Sequence, residues 1–279
     1  HSPSGGRRVF LSRIVSFIPQ YVCGLACAVY LFTLGIVSGR NRGLIARICR
    51  HFGFFRQREL APPPDSRALE LPQAAIGDIG PADEPIRILE PIGRGGNVAL
   101  EEIVAIARLL KAHAPKTVFE IGTFDGRTTL NMAANLPEDA QVYTLDLPRD
   151  QAASAAFDIS DADAAFVEKD VSGARFLNTP YAARIQQLYG DSATFDFSPW
   201  EGAVDFVFVD GAHTYEYVMS DTERALKLLR GGRGVIVWHD YDKRTGQDVP
   251  AALHELRERR PEFADIRHIF GTSLVFKVF

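Results

Sequence analysis

The stretch Thr117–Thr129 constrains the fold of this chain more than any other part of the sequence. Apolar residues typical of a short buried strand precede Gly122, and helix-forming sequence follows Gly126 as far as about Asn135. A strand that turns through glycines into a helix leaves backbone N–H groups free to bind a ligand. Gly122 also lets a ligand approach the backbone, where a Cβ would obstruct it. A strand, turn and helix without any ligand is the alternative, and the downstream sequence decides between the two.

Charge divides the chain into two parts. Residues 1–60 contain nine arginines and a single acid, whereas the whole chain has a net charge of −4. A basic, apolar N-terminus favours a membrane surface as its partner, and the acidic remainder argues against nucleic acid. The sequence beyond residue 60 has no cysteine, which excludes a disulfide framework or a cysteine-based zinc site there.

No charged residue occurs from residue 14 to residue 38, a length sufficient for a membrane-spanning helix. We therefore expect an N-terminal apolar helix and membrane association through residues 14–58. The distribution of arginines on its two sides predicts a cytoplasmic C-terminal body, tethered to the cytoplasmic face. A helix buried against the body, a dimerisation helix and a signal-like segment are the alternatives. Because the chain begins at a histidine, we also expect its natural start to lie upstream.

The Pro-rich stretch 61–91 predicts a linker between the N-terminal extension (residues 1–60) and a domain at residues 92–279. In this domain, apolar strand-like runs alternate with segments of helical periodicity. Such alternation predicts a mostly parallel sheet that helices cover on both faces. The predicted fold is therefore α/β, with seven strands. The last two strands, within residues 266–279, should form an antiparallel edge hairpin.

Polar residues stand at the carboxyl ends of successive predicted strands, which is the edge where open α/β sheets bind their ligands. They are Glu120, Asp146, Asp191, Asp210 and the pair His239 and Asp240. Asp146 follows Gly122 by 24 residues, the position at which an acid can accept both hydroxyls of a ribose. Ribose binding is the interpretation we favour for Asp146, over an acid that merely begins a loop.

These motifs resemble those of class I methyltransferases that use S-adenosylmethionine, and the resemblance implies a Rossmann-like fold. The resemblance rests on Glu120–Gly126, Asp146, Gly190-Asp191 and Val209-Asp210-Gly-Ala-His213, and it covers about residues 95–279. The stretch 205–242 looks most like the small-molecule O-methyltransferase branch with a Phe-Val-Asp-Gly-x-His motif. The resemblance implies S-adenosylmethionine as cofactor, bound by Glu120, Gly122, Thr123, Gly126, Asp146, Asp191, Ser192 and Asp210. The Gly-x-Gly-x-x-Gly motif of a nicotinamide dehydrogenase is not found at this turn.

Asp210, His239 and Asp240 form a second constellation. Two carboxylates and an imidazole on neighbouring strand ends can converge on one divalent cation, with Mg²⁺ preferred and Mn²⁺ or Fe²⁺ as alternatives. Metal-dependent O-methyltransferases, by resemblance, hold their cation at these positions, although His239 stands where an acid is more usual. A cation there would bind two neighbouring acceptor oxygens and lower the pKa of one of them. A metal-free site, in which the carboxylates only orient the substrate, is the alternative.

His213 follows Asp210 by three residues, at a position where related enzymes can hold a lysine as base. A neutral imidazole with a pKa of about 6.5 could accept the proton of an acceptor hydroxyl, so His213 and Asp210 are the predicted catalytic residues. A histidine that only caps a helix or lies in a loop is the alternative. The insertion 149–181 predicts a helical lid and part of the acceptor pocket, together with Trp200 and Tyr241.

The sequence thus predicts transfer of a methyl group from S-adenosylmethionine to a hydroxyl oxygen of a small-molecule acceptor, assisted by a divalent metal. A sugar, a polyketide or a phenol would suit as acceptor. Two alternatives stay open: a non-catalytic, membrane-tethered binding protein on the same fold, and a metal-dependent hydroxylase-like enzyme. The identity of the acceptor and a homo-oligomeric state are not decided by the sequence.

Overall fold

The computed structural model describes residues 29, 30, 33, 70–81, 83–242 and 248–279. The chain divides into two units, residues 1–68 and residues 69–279. In the first unit, Val29 and Tyr30 are helical, and Thr33 Oγ1 donates a hydrogen bond to Val29 O at 2.6 Å. The rest of the predicted apolar helix lies outside the described residues. No helix in the described part of the chain is long and apolar enough to cross a membrane.

Eight strands of the second unit form one sheet. They are β1 (Gln73–Ala74), β2 (Thr117–Ile121), β3 (Gln141–Asp146), β4 (Ile185–Tyr189), β5 (Phe206–Val209), β6 (Val235–Trp238), β7 (Arg267–Ile269) and β8 (Val275–Val278). Their order across the sheet is β1-β7-β8-β6-β5-β2-β3-β4. Because β8 is antiparallel to both of its neighbours and the other pairs are parallel, the predicted mostly parallel sheet with a C-terminal hairpin is confirmed.

Strand β1 adds an eighth strand to the predicted seven and places the domain boundary earlier than expected. Gln73 and Ala74 pair in parallel with His268 and Ile269 of β7, so β1 forms the edge next to the hairpin. Leu71 and Ala74 are also buried. Backbone pairing and these two apolar side chains draw part of the predicted linker into the folded unit, despite its weak local pattern.

The described residues include five α-helices, which cover both faces of the sheet. They are α1 (Leu100–His113), α2 (Arg127–Asn135), α3 (Asp161–Val167), α4 (Tyr215–Leu228) and α5 (Val249–Arg259). Side chains of β2 alternate between the two cores: Val118 packs in the core with residues of α1 and α2, and Phe119 in the core with residues of α4 and α5. This alternation is the reason that the strands are apolar throughout.

The polar face of α2 holds the segment 87–98 in place. Asn131 and Asn135 each accept a hydrogen bond from a backbone N–H of this segment and donate one to its carbonyl oxygen. Arg127 is buried and donates to three further carbonyl oxygens of the segment. These bonds fix a stretch without regular structure. The same stretch carries Asn97 to the wall of a cavity at the carboxyl ends of β2 and β5.

Candidate active site

The register of the sheet places the predicted strand-end residues side by side. Ile121 pairs with Leu145 on one side and with Val209 on the other, and Val209 pairs with Trp238. The residues that follow these four paired positions are therefore neighbours: Gly122, Asp146, Asp210 and His239. The strand order reverses between β2 and β5, and ligands bind at such a switch point in open α/β sheets.

A cavity of about 360 Å³ opens at this switch point. The predicted site residues that line it are Gly122, Asp146, Asp191, Ser192, Asp210, His213, His239 and Asp240. Glu120, Thr123 and Gly126 do not line this cavity, nor do Trp200 and Tyr241. One cavity thus joins the predicted ribose acid to the predicted catalytic and metal-binding residues.

The two glycines of the turn are needed because other parts of the chain approach them. Gly122 has a φ of 99°, and a Cβ there would lie 1.9 Å from the carbonyl oxygen of Asp210. Gly126 also has a positive φ, and a Cβ would lie 2.7 Å from both Gly173 Cα and the ring of Phe176. The close approach of β2 to β5 therefore requires glycine at 122, and packing of the insertion requires it at 126.

Glu120 is fully buried near the carboxyl end of β2. The hydroxyls of Thr129 and Thr144 donate to its Oε2, whereas Oε1 has no hydrogen-bond partner among the described residues. Burial raises the pKa of Glu120 to about 8. Thr123 Oγ1 instead lies 2.7 Å from Thr144 Oγ1 and accepts a hydrogen bond from Gln187, so its contacts join β2, β3 and β4.

Asp146 and Asp191, two of the predicted cofactor-site acids, already have partners, and several of these come from the insertion 149–181. The ammonium group of Lys169 lies 2.7 Å from Asp146 Oδ2, to which the Ser172 hydroxyl also donates. Asp191 Oδ2 accepts a hydrogen bond from the backbone N–H of Ala156 at 2.7 Å. The insertion includes the predicted helix, which is α3, and several of its residues line the cavity, as expected for a lid.

Two carboxylates and two imidazoles form a cluster at the ends of β5 and β6. His239 Nδ1 lies 2.8 Å from Asp210 Oδ1 and 3.2 Å from Asp240 Oδ2. His213 Nε2 lies 2.7 Å from Asp240 Oδ2 and 3.9 Å from Asp210 Oδ1. Asp240 adopts the left-handed conformation, with a φ of 60°. The sequence placed these residues together correctly, although His213 lies on the loop before α4.

Each imidazole also has one further carboxylate on its far side, and the sequence did not predict these two contacts. Glu102 Oε2 of α1 lies 3.0 Å from His239 Nε2, and Asp163 Oδ1 of α3 lies 2.6 Å from His213 Nδ1. Glu102 also accepts hydrogen bonds from Ser273 and from the N–H of Ala99. The partners are 137 and 50 positions apart along the chain, so no local sequence pattern predicts these contacts.

The surrounding carboxylates set the charge of both imidazoles. Burial alone would lower the pKa of His213, but Asp163, Asp210 and Asp240 outweigh it and raise that pKa to about 11. The pKa of His239 is likewise raised well above its ordinary value, against the effect of burial. Burial would raise the pKa of Asp240, but the two histidines lower it. The carboxylates therefore favour the imidazolium form of His213, whereas the predicted role as base requires the neutral imidazole.

The donor set is suited to a divalent cation. Within the described ranges, Asp210, His213 and Asp240 bring potential ligand atoms within 4.8 Å of one another. The sequence predicted His239 as the nitrogen ligand, and its Nδ1 contacts the same two carboxylates. Carboxylate oxygens with one imidazole suit Mg²⁺ or Mn²⁺.

Comparison with known proteins also finds methyltransferases, the kind of enzyme that the motifs resemble. A family model described as a methyltransferase domain matches residues 119–241. A caffeoyl-CoA O-methyltransferase of Stellaria longipes is 29% identical over 132 residues, which cover 47% of this chain and 48% of the relative. An Arabidopsis thaliana protein that carries the name caffeoyl-CoA O-methyltransferase is 27% identical over 173 residues, covering 60% of this chain and 66% of the relative. The chain thus spans between about half and two thirds of these relatives.

Solved structures of O-methyltransferases also align with this chain. TomG of Streptomyces achromogenes, in complex with SAM, is 21% identical, with a TM-score of 0.46 and coverage of 65% of this chain and 81% of TomG. The Bacillus cereus O-methyltransferase, in complex with SAH, is 19% identical, with a TM-score of 0.46 and coverage of 67% of this chain and 84% of the other. Residues 119–241 of this chain thus match a methyltransferase domain, and its cavity lies at the switch point of the sheet.

Proposed function

We propose that this chain transfers a methyl group from S-adenosylmethionine to a hydroxyl oxygen of a small molecule, assisted by a divalent cation. One observation carries the proposal: a single cavity extends from Asp146 to the cluster of Asp210, His213, His239 and Asp240. A cofactor held at the first end would present its reactive group towards the second. The O-methyltransferase names of the curated relatives support the same reaction class.

The residues present fit the cofactor. Asp146, at the end of β3, is the acid for the ribose hydroxyls, and Asp191 with Ser192 borders the adenine. The unpartnered Oε1 of Glu120 leaves one buried polar atom available near Gly122. Thr123 and Gly126 support this site from outside the cavity, through the packing of the turn and of the insertion.

His213 is the proposed base. Methyl transfer chiefly requires the acceptor oxygen, the methyl carbon and the leaving sulfur to be in line. His213 Nε2 would receive the hydroxyl proton as the acceptor oxygen took the methyl group, and the leaving sulfur would keep the electron pair of the broken C–S bond. His213 can accept this proton only as a neutral imidazole. The negative carboxylates around His213 favour the imidazolium, so another positive charge must balance them before the ring can act as a base.

Asp210 and Asp240 are the proposed oxygen ligands of the cation, and His239 is the nitrogen ligand. His239 Nδ1 contacts both carboxylates more evenly than His213 does, and Glu102 holds its other nitrogen. Such a carboxylate behind a ligating histidine fixes the tautomer and the ring orientation. A bound divalent cation would supply positive charge that lowers the pKa of the acceptor hydroxyl and of His213.

The proposal is tested with the full chain and S-adenosylmethionine labelled in its methyl group. Catechols, sugar diols and simple phenols serve as acceptors, with Mg²⁺ or with a chelator. We expect labelled product from the wild-type protein with Mg²⁺ and none from Asp240→Asn, although this variant still binds S-adenosylhomocysteine. Absence of S-adenosylhomocysteine binding by the wild-type protein would contradict the proposal and favour a non-catalytic binding protein.

The cluster also supports a second candidate, a metal-dependent hydroxylase-like enzyme, because two carboxylates and an imidazole suit Fe²⁺ as well. Such an enzyme consumes molecular oxygen, whereas methyl transfer does not. Product formation under strictly anaerobic conditions would exclude the hydroxylase.

Membrane association through residues 14–58 is a further proposal, which rests on the apolar and basic sequence there. Flotation of the full chain with vesicles that contain anionic lipid tests it. A protein that stays at the bottom of the gradient would contradict it.

A further inference from the structure

Helix α3 of the insertion brings a carboxylate to the far side of the proposed base. Asp163 Oδ1 lies 2.6 Å from His213 Nδ1, and Asp163 Oδ2 accepts a hydrogen bond from the backbone N–H of His213 at 3.2 Å. Both carboxylate oxygens of Asp163 thus contact His213. With 5% of its surface exposed, Asp163 forms these contacts away from solvent.

The position of Asp163 is itself fixed by the start of α3. Ser160 is the N-cap: its hydroxyl oxygen accepts a hydrogen bond from the backbone N–H of Asp163 at 3.1 Å. The same hydroxyl donates to Asp163 Oδ2 at 2.8 Å. A buried carboxylate with this many partners has little freedom, because each unmade hydrogen bond would leave a desolvated polar atom.

The contact decides which nitrogen of His213 is available for chemistry. A partner on one ring nitrogen sets the tautomer and the orientation of the ring, and so the role of the other nitrogen. Asp163 occupies Nδ1, whereas Nε2 lies 2.7 Å from Asp240 Oδ2 and is a buried atom without a hydrogen-bond partner among the described residues.

We propose that Asp163 is a positioning residue, which holds the ring of His213 so that Nε2 faces the acceptor oxygen. This inference rests on the proposed function, because it assigns a purpose to the proposed base. The insertion then has two roles: it covers the cavity, and through Asp163 it orients the proposed base. An orientation error in a catalytic imidazole is costly: the corresponding Asp→Asn change in a serine protease lowers kcat by about 10⁴-fold.

The experiment compares Asp163→Asn with the wild-type full chain. Asparagine keeps the size of the side chain, and its NH₂ group can meet Nδ1 as a donor, which favours the wrong tautomer. In ¹⁵N spectra of the histidine rings, we expect the hydrogen-bonded Nδ1–H signal of wild-type His213 to be lost in the variant. With an acceptor that the wild-type protein methylates, kcat should fall at least tenfold. The KM for S-adenosylmethionine and the Kd for S-adenosylhomocysteine should stay within about twofold.

Asp158→Asn is the matched control, because Asp158 is an exposed acid of the same insertion. It should leave the ring signals and kcat unchanged. An unchanged Nδ1–H signal in Asp163→Asn would overturn the inference, and so would a kcat within twofold of the wild-type value. Loss of cofactor binding in parallel with activity would also overturn it, because it would indicate a structural role. A wild-type protein that binds no S-adenosylhomocysteine would instead contradict the proposed function itself.

Discussion

The ammonium group of Lys169 lies 2.7 Å from Asp146 Oδ2. A lysine of the insertion is thus ion-paired with the carboxylate that we assign to the ribose. Both side chains are largely buried, and Lys169 also donates to the carbonyl oxygen of Phe166. A ribose that takes both oxygens of Asp146 must displace this ammonium group or share the carboxylate with it. On this assignment, the insertion and the cofactor would compete for the same oxygen of Asp146.

Lys169→Met tests this competition. Removing one partner of a buried ion pair should lower the free energy of unfolding by about 3 kcal/mol. The free protein is then destabilised more than the complex, and we expect S-adenosylhomocysteine to bind several-fold more tightly. Thermal unfolding and titration calorimetry measure the two effects. Weaker binding would show that Lys169 contacts the cofactor. Lys116→Met, which breaks an exposed ion pair with Asp139, should change neither quantity appreciably.

Glu102→Gln should destabilise the protein and loosen His239. Burial alone would raise the pKa of Glu102, but the hydrogen bond and charge of His239, helped by Ser273, lower it to about 2. The amide removes this charge from behind the imidazolium, so the free energy of unfolding should fall by about 2 to 3 kcal/mol. Glu101→Gln is the control, because the neighbouring Glu101 is exposed. Equal unfolding midpoints for the two variants in urea would contradict this account of Glu102.

Glu120→Gln should reduce the dependence of stability on pH. Burial raises the folded-state pKa of Glu120 from 4.5 to about 8, so the folded protein binds this proton more tightly than the unfolded chain. The stability from the protonated form is fully present below pH 4.5 and is lost as the pH rises through about 8.

Between pH 5 and pH 8 the wild-type free energy of unfolding should therefore fall by at least about 2 kcal/mol more than that of Glu120→Gln. Urea unfolding at several pH values measures the difference. Glu138→Gln, at an exposed glutamate, should keep the wild-type slope. Parallel curves for wild-type protein and Glu120→Gln would mean that Glu120 is ionised in the folded protein.

Cation binding should depend on the two shared carboxylates. Asp210→Asn and Asp240→Asn each remove one charged oxygen ligand, so Mg²⁺ or Mn²⁺ titrated into either variant should give at least a tenfold weaker affinity than with wild-type protein. His239→Asn should weaken binding as well, whereas His213→Asn should weaken it less. The reverse order for the two histidines would make His213 the ligand and leave Asp163 behind a metal-bound ring.

The sequence predicted the sheet and the strand-end residues because both follow from local pattern. Apolar runs that end in Glu120, Asp146, Asp210 or His239 indicate strands, and parallel strands bring their carboxyl ends to one edge. Strand β1 has only two residues in a Pro-rich stretch, so its place depends on pairing with β7.

The rest of the site depends on contacts between distant parts of the chain. Glu102 occurs in the first turn of the amphipathic helix α1, where a charged residue is expected to face solvent. Asp163 is one of several acids in the insertion. Their importance follows from packing against His239 and His213, which tertiary structure alone supplies. The raised pKa values of both histidines follow from the same packing, so composition and spacing could not predict them.

Titration of S-adenosylhomocysteine into the full chain tests the central claim most directly, with wild-type protein, Asp146→Ala and Asp240→Asn compared in one calorimetric series. We predict micromolar binding by the wild-type protein and by Asp240→Asn within about twofold of it. Asp146→Ala should bind at least about 30-fold more weakly, because charge-assisted hydrogen bonds to the ribose are lost. Equal affinity of Asp146→Ala and wild-type protein, or no binding by the wild-type protein, would contradict the assignment of this cavity to S-adenosylmethionine.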